Sequence, residues 1–305
     1  MTQPLDRVLS QVNSIILGKQ HQIRLALSCL LAGGHLLIED IPGVGKTPLA
    51  HALATTLGLN FQRIQFTSDL LPADIIGVSV YDRENASFKF HPGPIFTQVL
   101  LADEVNRATP KTQSALLEAM EERQVTTEGE TRPLPDPFFV IATQNPSHQV
   151  GTFPLPESQL DRFLMRIQLG YPGAEAERAL LQGTSRRDML NGLQPCIGLE
   201  DLCDLRRGVT QVHASPALID YLQALIRHTR TSTDFAGGLS PRAGLALLQA
   251  ARAWALMDDR AEVLPEDIQA VVPGVVGHRL HSSAQQGRIN GVDVSARLVA
   301  SVAIP

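Results

Sequence analysis

The octapeptide Asp40-Ile41-Pro42-Gly43-Val44-Gly45-Lys46-Thr47 decides how the rest of this chain is read. It closes an apolar run, His35 to Ile38, and opens a stretch in which Leu49, Leu53 and Leu57 recur every fourth residue. A strand, a glycine-rich turn and a helix in that order make a phosphate-binding loop. Its successive backbone N–H groups can curl around an anion, Lys46 can reach the β- and γ-phosphates of a nucleotide, and the Thr47 hydroxyl can bind Mg²⁺. Gly43 and Gly45 let the backbone approach closely. Pro48 suits a first helical turn and Gly58 a helix stop. The tripeptide Gly-Lys-Thr alone arises by chance in roughly one chain in ten of this length, so the flanks carry the reading. One position departs from the motif: Asp40 stands where its first glycine is usual.

The bulk properties fit a folded nucleotide-binding protein. With 305 residues, 44% of them apolar, the chain can bury a large core in one large domain or two ordinary ones. No run approaches the ~20 apolar residues of a membrane helix, and Met1 to Arg7 lacks a basic segment followed by an apolar one. A cytoplasmic protein without membrane insertion is expected. Cys29, Cys196 and Cys203 are odd in number and not at metal-ligand spacing, so neither disulfides nor zinc are expected. The formal net charge of −5 offers no broad positive field for a nucleic-acid backbone.

Gln20 to Leu31 places Ile23, Leu27, Leu30 and Leu31 on one helical face, and Gly33-Gly34 ends it before the strand at His35. Three further strands are expected at Phe61 to Phe66, Val99 to Ala102 and Phe138 to Thr143. The last two are almost continuously apolar, as strands buried on both faces of a parallel sheet are. Met165, Ile167 and Leu169 alternate with Arg166 and Gln168, which predicts a fifth strand at an edge. The expected fold class is α/β: a P-loop αβα sandwich with a parallel five-stranded sheet over residues 1–173. After Tyr171-Pro172-Gly173 helical periods take over, at Ala176 to Leu181, Leu218 to Ile226, Leu245 to Leu256 and Ile268 to Val272. Residues 174–305 are therefore expected to form an all-α lid domain, with Val292 to Val302 as a last short element.

Asp103 and Glu104 directly follow the apolar strand Val99 to Ala102, at the sheet edge where ligands of open parallel sheets bind. There Asp103 can hold Mg²⁺ and Glu104 can orient and polarise a water that attacks the γ-phosphate. An acidic helix cap is the plainer alternative, which the second buried strand about 55 residues after the loop argues against. Asn145 closes the next buried strand, so its amide can point at the same edge; a turn asparagine before Pro146 is the alternative. Read alone, Arg162 is a surface ion-pair partner and Arg242 a solvated residue at a helix start.

In order along nearly the whole chain, several segments resemble the MoxR group of AAA+ ATPases. These are Pro42-Gly43-Val44-Gly45-Lys46-Thr47, Gly93-Pro94-Ile95-Phe96, Asp103-Glu104-Val105-Asn106-Arg107-Ala108, Ala142-Thr143-Gln144-Asn145-Pro146 and Leu155-Pro156-Glu157-Ser158-Gln159-Leu160-Asp161-Arg162-Phe163. The resemblance implies that Lys46 and Thr47 belong to Walker A, Asp103 and Glu104 to Walker B, and that Asn145 is sensor 1. It implies an arginine finger at Arg162, given to a neighbouring subunit, and a sensor 2 residue at Arg242. Ile16-Leu17-Gly18-Lys19 resembles the segment that lines the adenine pocket, placing Leu17 and Gly18 with Gly43, Val44, Gly45, Lys46, Thr47 and Pro48 around ATP. Two hairpin insertions are implied, near residues 69–90 and 124–137, which in related hexamers face the pore or the substrate.

The function expected from all this is a ring-forming ATPase, a hexamer, that uses Mg²⁺ and ATP to remodel a protein client. By the habit of the family it acts with a protein bearing a von Willebrand factor A domain. A nucleotide-gated scaffold ring is the alternative, though every catalytic position is filled. A nucleic-acid motor is disfavoured, because Asp69 to Phe90 carries only Arg83 and Lys89 against Asp69, Asp74, Asp82 and Glu84.

Overall fold

A strand with neighbours on both sides and helices on both faces favours apolar side chains, and three segments of this chain have neighbours on both sides. The computed structural model describes residues 3–146, 151–183, 185–283 and 291–304. The chain begins with α1 (Gln3–Ile15), α2 (Gln20–Leu31), β1 (Leu36–Glu39), α3 (Lys46–Thr56) and β2 (Phe61–Gln65). Then come α4 (Pro72–Ile76), the hairpin of β3 (Gly77–Asp82) and β4 (Ser87–Pro92), and β5 (Val99–Asp103). Next are α5 (Pro110–Glu122), a second hairpin of β6 (Gln124–Thr127) and β7 (Glu130–Pro133), β8 (Phe139–Gln144), α6 (Glu157–Leu160) and β9 (Met165–Ile167).

Five parallel strands form one sheet in the order β2-β5-β8-β1-β9. Every residue of β5 is buried, as are all but the last of β8, which accounts for their apolar runs at residues 99–102 and 139–142. The two edge strands differ. In β2 only Ile64 is buried, whereas β9 buries Met165 and Ile167 and turns Arg166 outward. That edge is covered: Arg166 pairs with Glu39 at 2.8 Å and donates to the Gly277 carbonyl from the helical part of the chain.

The α3 helix starts and stops as its composition dictates. Gly45 caps it at φ +100° and Pro48 lies in the first turn, where the missing N–H has no intrahelical partner to lose. Leu49, Leu53 and Leu57 are fully buried. Beyond them Gly58, at φ +66°, lets its own N–H and that of Leu59 fold back onto the carbonyls of Thr55 and Ala54.

From Ala174 onward the described chain is helical except for a two-residue pairing of β10 (Phe235–Ala236) with β11 (His281–Ser282) and a bridge between His213 and Glu262. The helices are α7 (Ala174–Gln182), α8 (Arg186–Asn191), α9 (Leu199–Gln211), α10 (Pro216–Thr231), α11 (Pro241–Met257), α12 (Pro265–Val276) and α13 (Gly291–Ala300). Ser215 and Ser240 cap α10 and α11, each with a proline in the next position. One apolar cluster runs from Leu5 and Leu27 through Leu53 and Ile141 to Leu247, Val271 and Leu298, so the C-terminal helices share a core with α1, α2, α3 and one face of the sheet. The other face is filled by Leu37, Phe66, Leu100, Leu117, Phe138 and Phe163. Trp254 of α11 joins the parts at one point: the Arg24 guanidinium lies 4.4 Å over its ring and His21 meets its edge, both from α2.

The β3–β4 hairpin leaves Val78, Val80, Tyr81 and Phe88 exposed. Its inner Phe90 takes the Arg132 guanidinium of the second hairpin over its ring at 3.9 Å. No helix among the described residues is long and apolar enough to cross a membrane.

Candidate functional site

Because β1, β5 and β8 are adjacent and parallel, their C-terminal ends bring three distant segments to one edge: Asp40 to Thr47 after β1, Asp103 and Glu104 at the end of β5, and Asn145 after β8. Lys46 is buried there. Its Nζ donates to the Asp40 carbonyl at 2.5 Å and to Asn145 Oδ1 at 2.9 Å. Burial pushes its pKa down, and the nearby carboxylates of Asp40, Asp103 and Glu104 push it back up. Asn145 spans the site, since its Nδ2 donates to Glu104 Oε1 at 3.3 Å. Its backbone carbonyl accepts from Asn106 Nδ2 at 3.1 Å, which fixes the loop that carries it.

The two acidic residues are held by one hydroxyl. Thr143 Oγ1 donates to Asp103 Oδ1 at 2.5 Å and accepts the Glu104 N–H at 2.9 Å. Glu104 sits at φ +56°, a left-handed conformation that costs a non-glycine residue about 1–3 kcal/mol and concentrates at functional sites. Arg107 pairs with Glu104 Oε2 at 2.8 Å. On the far side of Asp103, Oδ2 receives the Thr47 hydroxyl at 3.5 Å and two N–H groups of Arg63, from Nε at 3.1 Å and Nη2 at 2.7 Å.

These donors fit a magnesium nucleotide. A hydroxyl and a carboxylate are the hard oxygen ligands that Mg²⁺ takes in small number, the rest coming from phosphate and water. Among the described residues no group of three or more His, Cys, Asp or Glu could enclose an ion unaided. A Cβ added at Gly43 meets nothing within 4 Å, so the face of the loop is open above the helix start of α3. Val44 is half-buried beside it. The segment before α2 lies against the loop: a Cβ on Gly45 would stand 3.6 Å from Ile16, and one on Gly18 would stand 3.1 Å from Ala176 of α7. Leu17 is half-buried between them, and Lys19 donates to the Tyr171 carbonyl at 2.7 Å.

The Asp40 carboxylate is turned away from the phosphate face. Its Oδ1 accepts the Ile41 N–H at 2.8 Å, and its Oδ2 accepts those of Leu169 and Gly170 at 2.6 Å each. It thereby ties the first residue of the loop to the connector after β9.

Arg162 and Arg242 are elsewhere. Both bind one carboxylate, Glu121 at the end of α5, Arg162 through Nε at 3.1 Å and Arg242 through Nη2 at 2.6 Å. Arg162 also donates to the Leu117 carbonyl at 2.7 Å. Next to them the buried Arg279 braces the segment, pairing with Asp161 at 2.6 Å and donating to the carbonyls of Asp161, Phe163 and Leu164. Arg63, Arg107, Glu121 and Arg279 are thus participants that the sequence reading does not include. For Arg107 the signal was present, because it stands three residues after Glu104 in a segment already singled out.

Comparison with known proteins agrees with this architecture. Residues 35–165 match the ATPase family associated with various cellular activities (AAA), and residues 227–298 match the AAA lid domain. The chain is 44% identical to the uncharacterized protein YeaC of Bacillus subtilis, over 99% of this chain and 95% of that one. It is 39% identical to the Chaperone MoxR1 of Mycobacterium tuberculosis, over 99% of this chain and 82% of the relative. A crystal structure of a candidate ATPase from Cytophaga hutchinsonii superposes with a TM-score of 0.90 at 37% identity, over 99% of this chain and 95% of that one.

Proposed function

This chain belongs to the MoxR family of AAA+ ATPases and hydrolyses ATP, and on that premise we propose that it works as a closed ring, a hexamer, coupling hydrolysis of Mg-ATP to remodelling of a protein client. In this reading residues 1–173 are the nucleotide-binding core and residues 174–305 the lid. Lys46 and the amides from Gly43 to Thr47 hold the triphosphate at the positive end of α3, where Pro48 shapes the first turn. Leu17 and Gly18 flank the base. Thr47 and Asp103 hold magnesium, which when bound offsets the charge that develops on the phosphate oxygens. Glu104, held at Oε1 by Asn145, orients and polarises the attacking water, and Asn145 keeps it in register with Lys46.

The observation that carries the ring is the sharing of Glu121. Arg162 and Arg242 rest together on that carboxylate instead of joining Asp103 and Glu104, a placement suited to service in a neighbour's site. An arginine supplied in this way accelerates phosphoryl transfer about 10³- to 10⁵-fold, roughly 4–7 kcal/mol of barrier. The chaperone name of the Mycobacterium tuberculosis relative supports a protein client. The exposed side chains of β3 and β4 offer that client an apolar surface. The protein works in the cytoplasm in this scheme, and its partner is a protein with a von Willebrand factor A domain, as the family resemblance implies.

Hydrolysis per subunit, measured across a dilution series that spans assembly, is expected to fall steeply as the ring comes apart, and Arg162→Ala to be slow at every concentration. Activity that stays flat on dilution removes the assignment of Arg162. In the same assay Glu104→Gln is expected to bind ATP and barely turn it over, and Lys46→Ala to lose binding; equal residual turnover in the two variants contradicts the assigned roles.

A further inference from the structure

Arg63 enters the site from β2, the exposed edge strand. In the parallel register Arg63 faces Leu101 and Gln65 faces Asp103, so Arg63 and Asp103 lie on one face of the sheet at diagonal positions that a long side chain can bridge. The bridge is made with two N–H groups on the same oxygen, Oδ2, while Oδ1 is committed to Thr143. Oδ2 is also the oxygen that faces the Thr47 hydroxyl. An ion held by Thr47 and Asp103 through that oxygen competes with the two N–H groups of Arg63 that already bind it. A guanidinium and a divalent cation on one oxygen also repel each other.

Two features make the guanidinium easy to move. The Arg63 side chain is 48% exposed, whereas that of Asp103 is 10% exposed, so the carboxylate is fixed and the arginine is at the surface. Gln65, on the same strand, accepts from Arg63 Nη2 at 3.0 Å and gives it a partner outside the Asp103 carboxylate. We propose that Arg63 is a stand-in cation: it neutralises and aims Asp103 while magnesium is away and must yield Oδ2 when magnesium binds. Arg63 then sets how much free Mg²⁺ the site requires. It is a positioning residue, acting through Asp103, and the inference rests on Thr47 and Asp103 being the magnesium ligands.

The sign of one shift tests it. Binding of a fluorescent N-methylanthraniloyl ADP is followed as MgCl₂ is added, for the wild-type chain, Arg63→Met, Arg63→Gln, Arg63→Lys and Asp103→Asn. Removing a competitor lowers the Mg²⁺ midpoint: Arg63→Met and Arg63→Gln are expected to shift it down about tenfold, the ratio corresponding to ~1.4 kcal/mol. Arg63→Lys, a point charge without the fork, is expected to lie between them and wild type. If Arg63 merely braces Asp103, its loss raises the midpoint or leaves it unchanged, and either result overturns the proposal. Loss of nucleotide binding at every Mg²⁺ concentration in the folded variants makes Arg63 a phosphate ligand, which also overturns it. Asp103→Asn is expected to raise the midpoint; an unchanged midpoint there shows that the ligand assignment itself is wrong, independently of what Arg63 does.

Discussion

Three backbone N–H groups converge on the carboxylate of Asp40, and two of them belong to residues more than 120 positions away. A charged acceptor with several amide donors contributes about 1.5–3 kcal/mol per bond removed, and its deletion leaves the donors without partners. Asp40→Ala is therefore expected to lower the unfolding free energy by about 2–4 kcal/mol in urea titrations, whereas an exposed acid such as Glu84 changed to alanine stays within about 0.5 kcal/mol. In the sequence Asp40 stands out only as a departure from a motif. Nothing local announces that its partners are Leu169 and Gly170, because a carboxylate that reaches backbone amides leaves no spacing to read. Lys46, Thr47, Asp103, Glu104 and Asn145 were legible for the opposite reason: each directly follows, or lies within a few residues of, the end of an apolar strand, and parallel strands put those ends on one edge. Arg63 was not legible, since a lone arginine in an edge strand reads as a solvated residue. The pairing of Arg162 and Arg242 on Glu121 joins three segments with no shared pattern.

At the scale of elements, the strands follow from burial. The unbroken runs of β5 and β8 and the alternation in β9 are visible in the sequence because the sheet imposes them, with boundaries shifted by a residue or so. The helices α1, α4, α5, α6, α8 and α9 are absent from the sequence reading, although Leu202, Leu205 and Val209 of α9 are spaced for one buried face. The two hairpins are legible only through resemblance to other proteins, because exposed Val78, Val80 and Phe88 give periodicity no buried face to mark. The β3–β4 hairpin is closed at its base by two glycines. Gly77 has φ +107°, and a Cβ there would stand 2.3 Å from the His91 carbonyl; one on Gly93 would stand 2.2 Å from that of Ile75. Gly77→Ala is expected to cost about 1–3 kcal/mol locally. Hydrogen exchange is expected to quicken at residues 78–91 and to stay unchanged in Val99–Asp103.

For the whole molecule, acid is the condition that bears on the two imidazoles buried among the described residues. His35 accepts the Val140 N–H at Nδ1 (2.9 Å) and donates from Nε2 to the Met120 carbonyl (3.1 Å), a neutral tautomer wedged between α5 and β8. Burial pushes its pKa down to about 4, and Arg123 adds to the shift against the opposing bond to Met120. His278, bonded to the Phe163 carbonyl, is pushed down by burial and by Arg279 and Arg166. Unfolded histidine takes up a proton near pH 6.5, the folded groups only well below that. Stability is therefore unaffected above about pH 7 and falls as the pH drops from about 6.5 toward 4, by about 2 kcal/mol at pH 5 from His35 alone. Calorimetric melting across that range is expected to show the decline, and His35→Gln, which keeps a donor and an acceptor, to flatten it at the cost of stability at neutral pH. The seam between α11 and α2 carries a further property. Trp254 is the only tryptophan in the chain, and it is clasped by Arg24 and His21 where α11 meets the start of α2. Light absorbed by tryptophan alone is thus emitted from that one junction, so the protein carries its own unlabelled optical gauge of any parting between α11 and α2.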